Sequence, residues 1–303
     1  MPASSPPVRG HVRRAGWDRV SYGLHLPAGD RELADELRAW QLVLPPTAAF
    51  TSLTAAALRG WWRSAPVEHP VFAALSEADP RPRRAGLHVC RHPVPPAHQL
   101  VDGLRVATAA ETLLAAARDV GVLDLVVLGD SALRQRHCTL VDLWDAAARR
   151  RRGAPLLRSV IPLLDPRSES AWESVMRVLH RAAGIPVEPQ YEVRDDRQRF
   201  LARADLWISG TRRLHEYDGD THRTAEGHAA DLLRDRRLSA AGWTRYGYTS
   251  RHLLRGGGDV VSDTDRLLDR SWDPRRLAAW TGLVDASLYG RRGRARAMSH
   301  WRR

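Results

Sequence analysis

Acidic side chains recur within residues 203–222, in two runs separated by the turn Ser209-Gly210-Thr211. Asp205 lies in the run A-D-L-W-I. Glu216 and Asp218 stand two residues apart in the next run, directly before Gly219. Two neighbouring strands joined by a tight turn would bring these three carboxylates together. Carboxylates packed this closely repel one another and resist ionising unless a cation lies between them. The stretch therefore predicts a divalent-metal site, and phosphodiester hydrolysis is chemistry that such ions support.

Each of these acids also has a plainer interpretation. Asp205 on an apolar strand needs a partner, which is either a metal ion or an arginine such as Arg203 or Arg213. Glu216 and Asp218 project from one strand face, because side chains alternate along a strand, and they mark either a metal site or a solvated edge. The glycine that follows at once favours the metal site, since glycine permits close approach of the backbone.

Two further residues are candidates for the same site. Glu173 lies in S-A-W-E, where it either reaches the metal or closes a capping box with Ser170 at a helix start. His222 is a candidate proton acceptor, because a histidine near its ordinary pKa takes up a proton at neutral pH and an arginine does not. The alternatives for His222 are a phosphate donor and a surface residue. His215 points to the strand face opposite Glu216 and is predicted to be structural.

The charge of the chain favours nucleic acid as the partner, and DNA and RNA both fit the charge. Its 303 residues have a formal net charge of +12, and all 47 basic residues are arginine, so no mechanism here can use a lysine ammonium. Such an excess favours a polyanion, although a solvated basic surface is the alternative. Arg223, Arg234 and Arg237 are the candidate phosphate contacts. Arg234 alternatively forms surface ion pairs with Asp231 and Asp235 on its own helix.

Several classes of protein are disfavoured by the sequence. Cys90 and Cys138 lie far apart, which argues against a disulfide framework and against a zinc site built on cysteine. No apolar run approaches about 18 residues, so we expect no membrane span. The first residues lack the apolar segment of a secretory signal, and we therefore expect a cytoplasmic protein. We expect no small-molecule cofactor, and the sequence leaves the oligomeric state open.

The elements that position these residues fall into two regions, separated by prolines near residue 160. Residues 1–160 are predicted to form an auxiliary mixed α/β domain. Residues 165–272 have the order helix, three strands, helix, strand; the strands are predicted at 187–193, 200–208, 213–217 and 243–248, and the helices at 170–183 and 224–241. Residues 289–303 form a basic tail that either binds nucleic acid or, as its composition favours, is disordered. The arginine run at 149–152 either grips phosphate or, as we favour, is a solvated helix end.

This order of elements resembles the PD-(D/E)xK nuclease superfamily. The resemblance covers roughly residues 165–255 and is carried by R-A-D-L-W, H-E-Y-D-G-D-T-H and D-L-L-R-D-R-R-L-S-A-A-G-W. It is closest to an actinobacterial branch related to the very-short-patch mismatch-repair endonuclease. In the first region, T-S-L-T-A-A-A-L-R-G-W-W and E-T-L-L-A-A-A-R-D-V-G are similar to proteins that begin with a type IV abortive-infection antitoxin-like domain. The winged-helix start of many such proteins is shortened or absent here.

The resemblance implies an α/β fold, with a C-terminal restriction-endonuclease-like mixed sheet flanked by helices and preceded by a smaller mixed α/β domain. It also implies a DNA endonuclease that depends on Mg²⁺ or Mn²⁺. By position, Asp205, Glu216, the backbone carbonyl of Tyr217 and the helix-borne Glu173 would hold the ion. Asp218 stands where many members carry lysine.

The missing lysine leaves His222 as a substitute base and keeps other functions open. The main alternative is a catalytically weak or inactive DNA-binding or antitoxin-like regulatory module. An HNH-type nuclease, suggested by His215, His222 and His228, is disfavoured because no asparagine lies among them and the strand order differs.

Overall fold

The computed structural model describes residues 6–10, 16–219 and 225–302 of the chain. The chain divides into two compact units. Unit 1 comprises Met1–Val120, Cys138–Ile161 and Ala295–Arg303; unit 2 comprises Gly121–His137 and Pro162–Arg294. Gly121–His137, which lies inside the predicted auxiliary domain, thus belongs to unit 2. The predicted fold class is confirmed, because mixed sheets are flanked by helices and a mixed α/β unit precedes the second one in the chain.

The elements of the chain up to residue 160 are short. They are β1 Val8–Arg9, β2 Trp17–Ser21, β3 Leu24–Pro27, α1 Leu33–Gln41, β4 Ala49–Phe50, α2 Ser52–Leu58, β5 Val71–Ser76, β6 Leu87–His92, β7 His98–Val101, β8 Leu104–Ala107, α3 Ala109–Ala116, α4 Val122–Arg134, α5 Leu140–Ala148 and α6 Ala154–Val160. In unit 1, one sheet has the order β1-β3-β2 and the other β6-β5-β4-β8-β7. β5 is buried along its whole length, and its sequence V-F-A-A-L-S accordingly lacks the alternation of a half-exposed strand.

The later elements follow the predicted order closely. After the 3₁₀ turn Ile161–Leu163 come α7 Ala171–Ala182, β9 Val187–Arg194, β10 Phe200–Ile208, β11 Arg213–Tyr217, α8 Ala225–Ala240, β12 Thr244–Tyr248, α9 Ser250–Leu254, α10 Gly257–Leu267, α11 Arg276–Ala286 and α12 Arg291–Trp301. Ser170 caps α7 as predicted, since its hydroxyl oxygen accepts the N–H of Glu173.

The unit 2 sheet places the predicted site on its two inner strands. Its order is β12-β11-β10-β9, with antiparallel pairing of β9, β10 and β11 and parallel pairing of β11 with β12. The β10–β11 hairpin turns at Gly210, whose φ of +82° is a left-handed conformation that glycine adopts without strain. α7 packs against β9, β10 and β11, and α8 packs against β10 and β12.

The prediction of a disordered basic tail at 289–303 is wrong. α12 covers Arg291–Trp301, and its Ala297 and Trp301 are buried. These two residues are four apart and therefore share one helical face. The ring of Trp301 meets that of Phe72 edge-on, with centroids 5.8 Å apart. Burial of one tryptophan outweighs the polar composition on which the disorder prediction rested.

In the part of the chain that the structure describes, no helix is both long enough and apolar enough to cross a bilayer.

Candidate functional site

Two strands bring Asp205 and Glu216 together. Leu206 lies opposite His215 and Trp207 opposite Leu214, so the same antiparallel register places Asp205 across from Glu216. Asp205 Oδ2 accepts the backbone N–H of Tyr217 at 2.8 Å, which ties the acid of β10 to β11. The convergence of these two predicted site residues follows from the hairpin.

The protonation of Asp205 reflects a crowded set of negative charges. Burial, followed by the nearby carboxylates of Glu173 and Glu216, raises the pKa of Asp205 to about 7. The Tyr217 amide and the Arg234 guanidinium act in the opposite direction. Asp205 is therefore protonated in a substantial fraction of molecules at neutral pH, as expected for a buried carboxyl with acidic neighbours.

Glu173 makes a capping contact at the start of α7 and also lies near Asp205. It is buried in the first turn of α7, and its Oε2 accepts the backbone N–H of Glu169 at 2.7 Å and the side-chain amide of Gln190 at 2.8 Å. The capping contact therefore goes to Glu169, one residue before the predicted partner Ser170. Burial raises the pKa of Glu173, and its charge in turn contributes to the raised pKa of Asp205.

Glu216 is buried between two arginines. Its Oε1 accepts a hydrogen bond from Arg234, and its Oε2 accepts one from Arg245 Nη1 at 3.0 Å. Arg245 Nη1 also lies 3.5 Å from Asp218 Oδ1, as expected if both acids project from the same face. Arg245 also donates two hydrogen bonds to Asp235, at 2.9 and 3.2 Å, so it links three acids.

Arg234 contacts other elements, and its predicted helical partner Asp235 is bound elsewhere. The side chain of the other predicted partner, Asp231, lies outside those that the structure describes. Arg234 Nη2 donates to the carbonyl of Arg203 at 3.1 Å as well as to Glu216, and Asp235 pairs with Arg245 instead. Burial by itself would lower the pKa of Arg245, but its bonds with Asp235 and its attraction to Glu216 raise that pKa above the ordinary value for arginine. Arg234 is thus bound to an acid, whereas Arg237 is exposed.

The sequence analysis missed Arg245 and Gly247. Both lie on β12, where Leu214 pairs with Arg245 and Glu216 with Gly247. A Cβ atom at position 247 would lie 1.8 Å from Asp218 Oδ2, so any larger residue there would displace that carboxylate. The sequence signal was Y-G-Y inside an otherwise regular strand pattern. His222 and Arg223, the remaining predicted site residues, lie outside the described residues.

An aromatic pair lies beside the carboxylates. The rings of Trp172 and Tyr217 are stacked, with centroids 5.4 Å apart and 12° between their planes. Trp172 directly precedes Glu173 on α7, and Tyr217 directly follows Glu216 on β11. The stack therefore helps to hold the two acids in register with each other.

Two buried histidines pack together on the face of β11 opposite Glu216. His180 Nε2 lies 2.8 Å from His215 Nδ1, and the Tyr248 hydroxyl lies 3.4 Å from His215 Nε2. Both histidines are fully buried, and burial lowers the pKa of each. The prediction that His215 is structural and faces away from Glu216 is confirmed.

The oxygen atoms of the cluster suit a divalent cation, but those of Glu216 are already bound to arginines. Oxygen donors are those that Mg²⁺ and Mn²⁺ prefer. Among the side chains that the structure describes, in residues 6–10, 16–219 and 232–302, however, no three of His, Cys, Asp or Glu are grouped closely enough to hold a metal ion. Both oxygens of Glu216 are bound to guanidinium groups, so an ion at Glu216 would compete with these two arginines.

Among the side chains that the structure describes, the cluster contains more carboxyl groups than guanidinium groups. Four carboxyl groups (Glu173, Asp205, Glu216 and Asp218) lie near two guanidinium groups (Arg234 and Arg245). One of the two, Arg245, is shared with Asp235. The proton that Asp205 retains near neutral pH relieves part of the excess, and a divalent cation would relieve more of it.

Comparison with known proteins gives a family but no activity. No protein-family model matches the chain. Two relatives are "Uncharacterized protein MT2308" of Mycobacterium tuberculosis strain CDC 1551 / Oshkosh and "Uncharacterized protein Rv2248" of strain H37Rv. Each is 31% identical to this chain over 271 residues, which cover 86% of this chain and 95% of the relative. Neither name states an activity. The chain belongs to the same protein family as these two mycobacterial proteins.

Proposed function

We propose that unit 2 is a nuclease that hydrolyses phosphodiester bonds, with DNA as the expected substrate and Mg²⁺ or Mn²⁺ as the cofactor. The observation that carries this proposal is the convergence of Asp205 with Glu173 and Glu216, whose charges help to raise the pKa of Asp205 to about 7. Carboxyl groups that share a buried site repel one another, and a cation between them would relieve that repulsion. Acidic residues grouped in this way on the inner strands of a sheet are a candidate functional site.

The residues of the chain have distinct roles in this proposal. Glu173, Asp205, Glu216 and the Tyr217 carbonyl would hold the ion, which supplies Lewis-acid polarisation of the scissile phosphate. The Tyr217 amide orients Asp205. Arg234 and Arg245 would leave Glu216 and pair with phosphate oxygens, for which the guanidinium fork is well shaped. With aspartate at position 218 in place of lysine, proton acceptance would fall to His222.

A second function is favoured by one observation, the two arginines that engage both oxygens of Glu216. In that alternative the cluster stays closed, and the chain is an inactive nucleic-acid-binding or antitoxin-like regulatory module. The arginines would then serve as permanent counter-charges in place of a metal ion.

Cleavage assays separate the two functions. Purified protein is incubated with supercoiled plasmid, linear duplex, mismatched duplex and RNA, with and without Mn²⁺. We expect Mn²⁺-dependent cleavage that Asp205→Asn and Glu216→Gln each lower on the order of 100-fold or more. The matched control is Glu192→Gln, an exposed acid of β9 in the same sheet.

If no substrate is cleaved, calorimetric titration with Mn²⁺ distinguishes a wrong choice of substrate from the lack of a metal site. Binding that is lost in Asp205→Asn but kept in Glu192→Gln supports the metal site even if the substrate is wrong. Absence of both cleavage and Asp205-dependent binding overturns the nuclease proposal in favour of the closed module.

A further inference from the structure

A strongly basic pocket lies within unit 1, away from the carboxylate cluster in sequence. It has a volume of about 700 Å³ and is lined by Arg118, the four arginines at 149–152, and Arg158. His300 of α12 lies at its rim. None of the described residues that line this pocket is acidic. The arginine run that the sequence analysis favoured as a solvated helix end is therefore one wall of a concave surface.

Buried contacts hold part of this wall in place. The carboxylate of Glu111, which is only 3% exposed, accepts hydrogen bonds from Arg149 and from Arg151, the latter at 2.5 Å. Arg151 Nη2 also lies 3.1 Å from His92 Nδ1. Burial, and next the charge of Arg151, lowers the pKa of His92 to about 4, so this imidazole is neutral and can accept the bond.

The backbone after the run is built for close packing. Gly153 has a φ of +89°, and a Cβ atom there would lie 2.5 Å from the carbonyl oxygen of Leu114. Only glycine permits this approach to α3. Arg150 and Arg152 are left exposed beside the pocket, while Arg149 and Arg151 are tied to Glu111.

A second, smaller pocket extends the basic surface along α12. It measures about 290 Å³ and is lined by Arg118, Asp119, Arg296, Ser299 and His300. Arg118 and His300 line both pockets. The acid of the second pocket is already engaged, because Asp119 Oδ1 lies 2.5 Å from His300 Nδ1. We call the two pockets together the arginine groove.

The arginine groove has a large surplus of positive charge. It contains seven arginines, namely the six of the first pocket and Arg296, and the nearby carboxylates are Glu111 and Asp119. The arginines therefore outnumber these two carboxylates by five positive charges, with His300 left out of the count. Such a density favours a ligand that offers several anionic groups in a row, since one small anion would leave most of the charge unmatched.

We propose that the arginine groove binds the sugar–phosphate backbone of nucleic acid. Guanidinium groups pair with phosphate oxygens in a bidentate manner and release condensed counterions, so the binding is independent of base sequence and weakens with salt. The tail helix α12 serves here as a wall of the groove. This proposal does not rest on hydrolysis by unit 2, and a protein with no cleavage activity would bind in the same way.

The test uses the full chain and a pair of matched double variants. Arg150→Ser/Arg152→Ser removes two exposed arginines of the groove, and Arg197→Ser/Arg199→Ser removes two exposed arginines of the β9–β10 turn in unit 2. Affinity for a fluorescent duplex and for a single strand is measured by anisotropy between about 50 and 200 mM salt. Thermal unfolding verifies that both variants remain folded, and Arg296→Ser provides a separate single change at the far end of the groove.

We expect the groove double variant to lose tenfold or more in affinity at low salt. The slope of log affinity against log salt should fall by about 2 for duplex, and by about 1 for Arg296→Ser, because each lost phosphate contact removes about 0.9 from the slope. The turn variant should keep most of the affinity. An equal loss in both double variants, or an unchanged slope in the groove variant, overturns the proposal, as does full displacement of nucleic acid by millimolar inorganic phosphate. Asp205→Asn and Glu216→Gln should bind as wild type does, which separates this result from the fate of the nuclease proposal.

Discussion

Asp205 Oδ2 accepts the backbone N–H of Tyr217 at 2.8 Å, so a side chain of β10 is anchored to the backbone of β11. The bond keeps one oxygen of Asp205 occupied in either protonation state. It also holds the carboxyl group beside Glu173 and Glu216, whose charges help to raise its pKa to about 7. The pKa of Asp205 therefore reports how strongly burial and the charges of Glu173 and Glu216 act on this carboxyl group.

Asp205→Asn should stabilise the protein at alkaline pH. The folded pKa of about 7 lies above the unfolded value of 3.8, so the folded state binds more protons between these values. Stability linked to this proton is complete below pH 4 and is lost as pH rises through 7. Asparagine lacks the ionisation, and its advantage over wild type should grow by on the order of 2 kcal/mol from pH 5 to pH 8. Urea unfolding at the two pH values measures it. Asp196→Asn, at a fully solvated side chain, should show no such growth; if Asp205→Asn behaves like it, the raised pKa is refuted.

Mn²⁺ binding to the proposed site should release a proton in acidic buffer. Asp205 must ionise to ligate a cation, and at pH 6 it is mostly protonated because its pKa is about 7. We expect release of about one proton at pH 6 and almost none at pH 8, measured by calorimetry in two buffers of different ionisation enthalpy. Asp205→Asn should abolish the buffer dependence. Tight binding with equal heats in both buffers at pH 6 would place the metal elsewhere.

The buried pair His180 and His215 should make the protein sensitive to acid. Burial lowers the pKa of His180 to about 4 and, together with the charge of His180, also lowers that of His215. The unfolded chain takes up protons near pH 6.5, so stability is complete above that value and falls as pH drops towards 4. His180→Gln should reduce this loss by about 1–2 kcal/mol between pH 7 and 5, as followed by chemical unfolding. The exposed His98 is the control, and His98→Gln should leave the pH profile unchanged.

The ion pair between Asp130 and Arg177 should be among the most sensitive contacts of unit 2. Both side chains are 0% exposed. Asp130 Oδ2 lies 2.5 Å from Arg177 Nη2 and 2.6 Å from the Ser174 hydroxyl, and Asp130 Oδ1 accepts the N–H of Asp165 at 2.7 Å. Asp130→Ala leaves a buried guanidinium without its partner and should cost about 3–5 kcal/mol of unfolding free energy.

The matched control for that pair is a surface ion pair of unit 1. Arg38→Ala breaks the exposed contact with Asp35 and should cost less than about 1 kcal/mol. Chemical unfolding of both variants measures the difference. A cost for Asp130→Ala no larger than that for Arg38→Ala would show that unit 2 relaxes around the change.

Local sequence determined most of what can be verified in unit 2. The predicted strands 200–208 and 213–217 match β10 and β11 in their limits, because alternation and turn residues act over a few positions. A tight hairpin then leaves little choice of register, and the pairing of Asp205 with Glu216 follows from it. The identification of Ser170 as a helix cap is confirmed for the same reason, since capping depends on neighbours within one turn.

Only the tertiary structure decided which arginines pair with Glu216 and whether the basic tail is folded. Arg234 comes from α8 and Arg245 from β12, and the parallel pairing of β12 with β11 is a long-range contact that local patterns do not specify. Likewise, α12 has the composition of a disordered segment, yet its Trp301 is buried and packs against Phe72. Local propensities act through neighbours in sequence, whereas charge pairing and burial depend on groups that only the folded chain brings together.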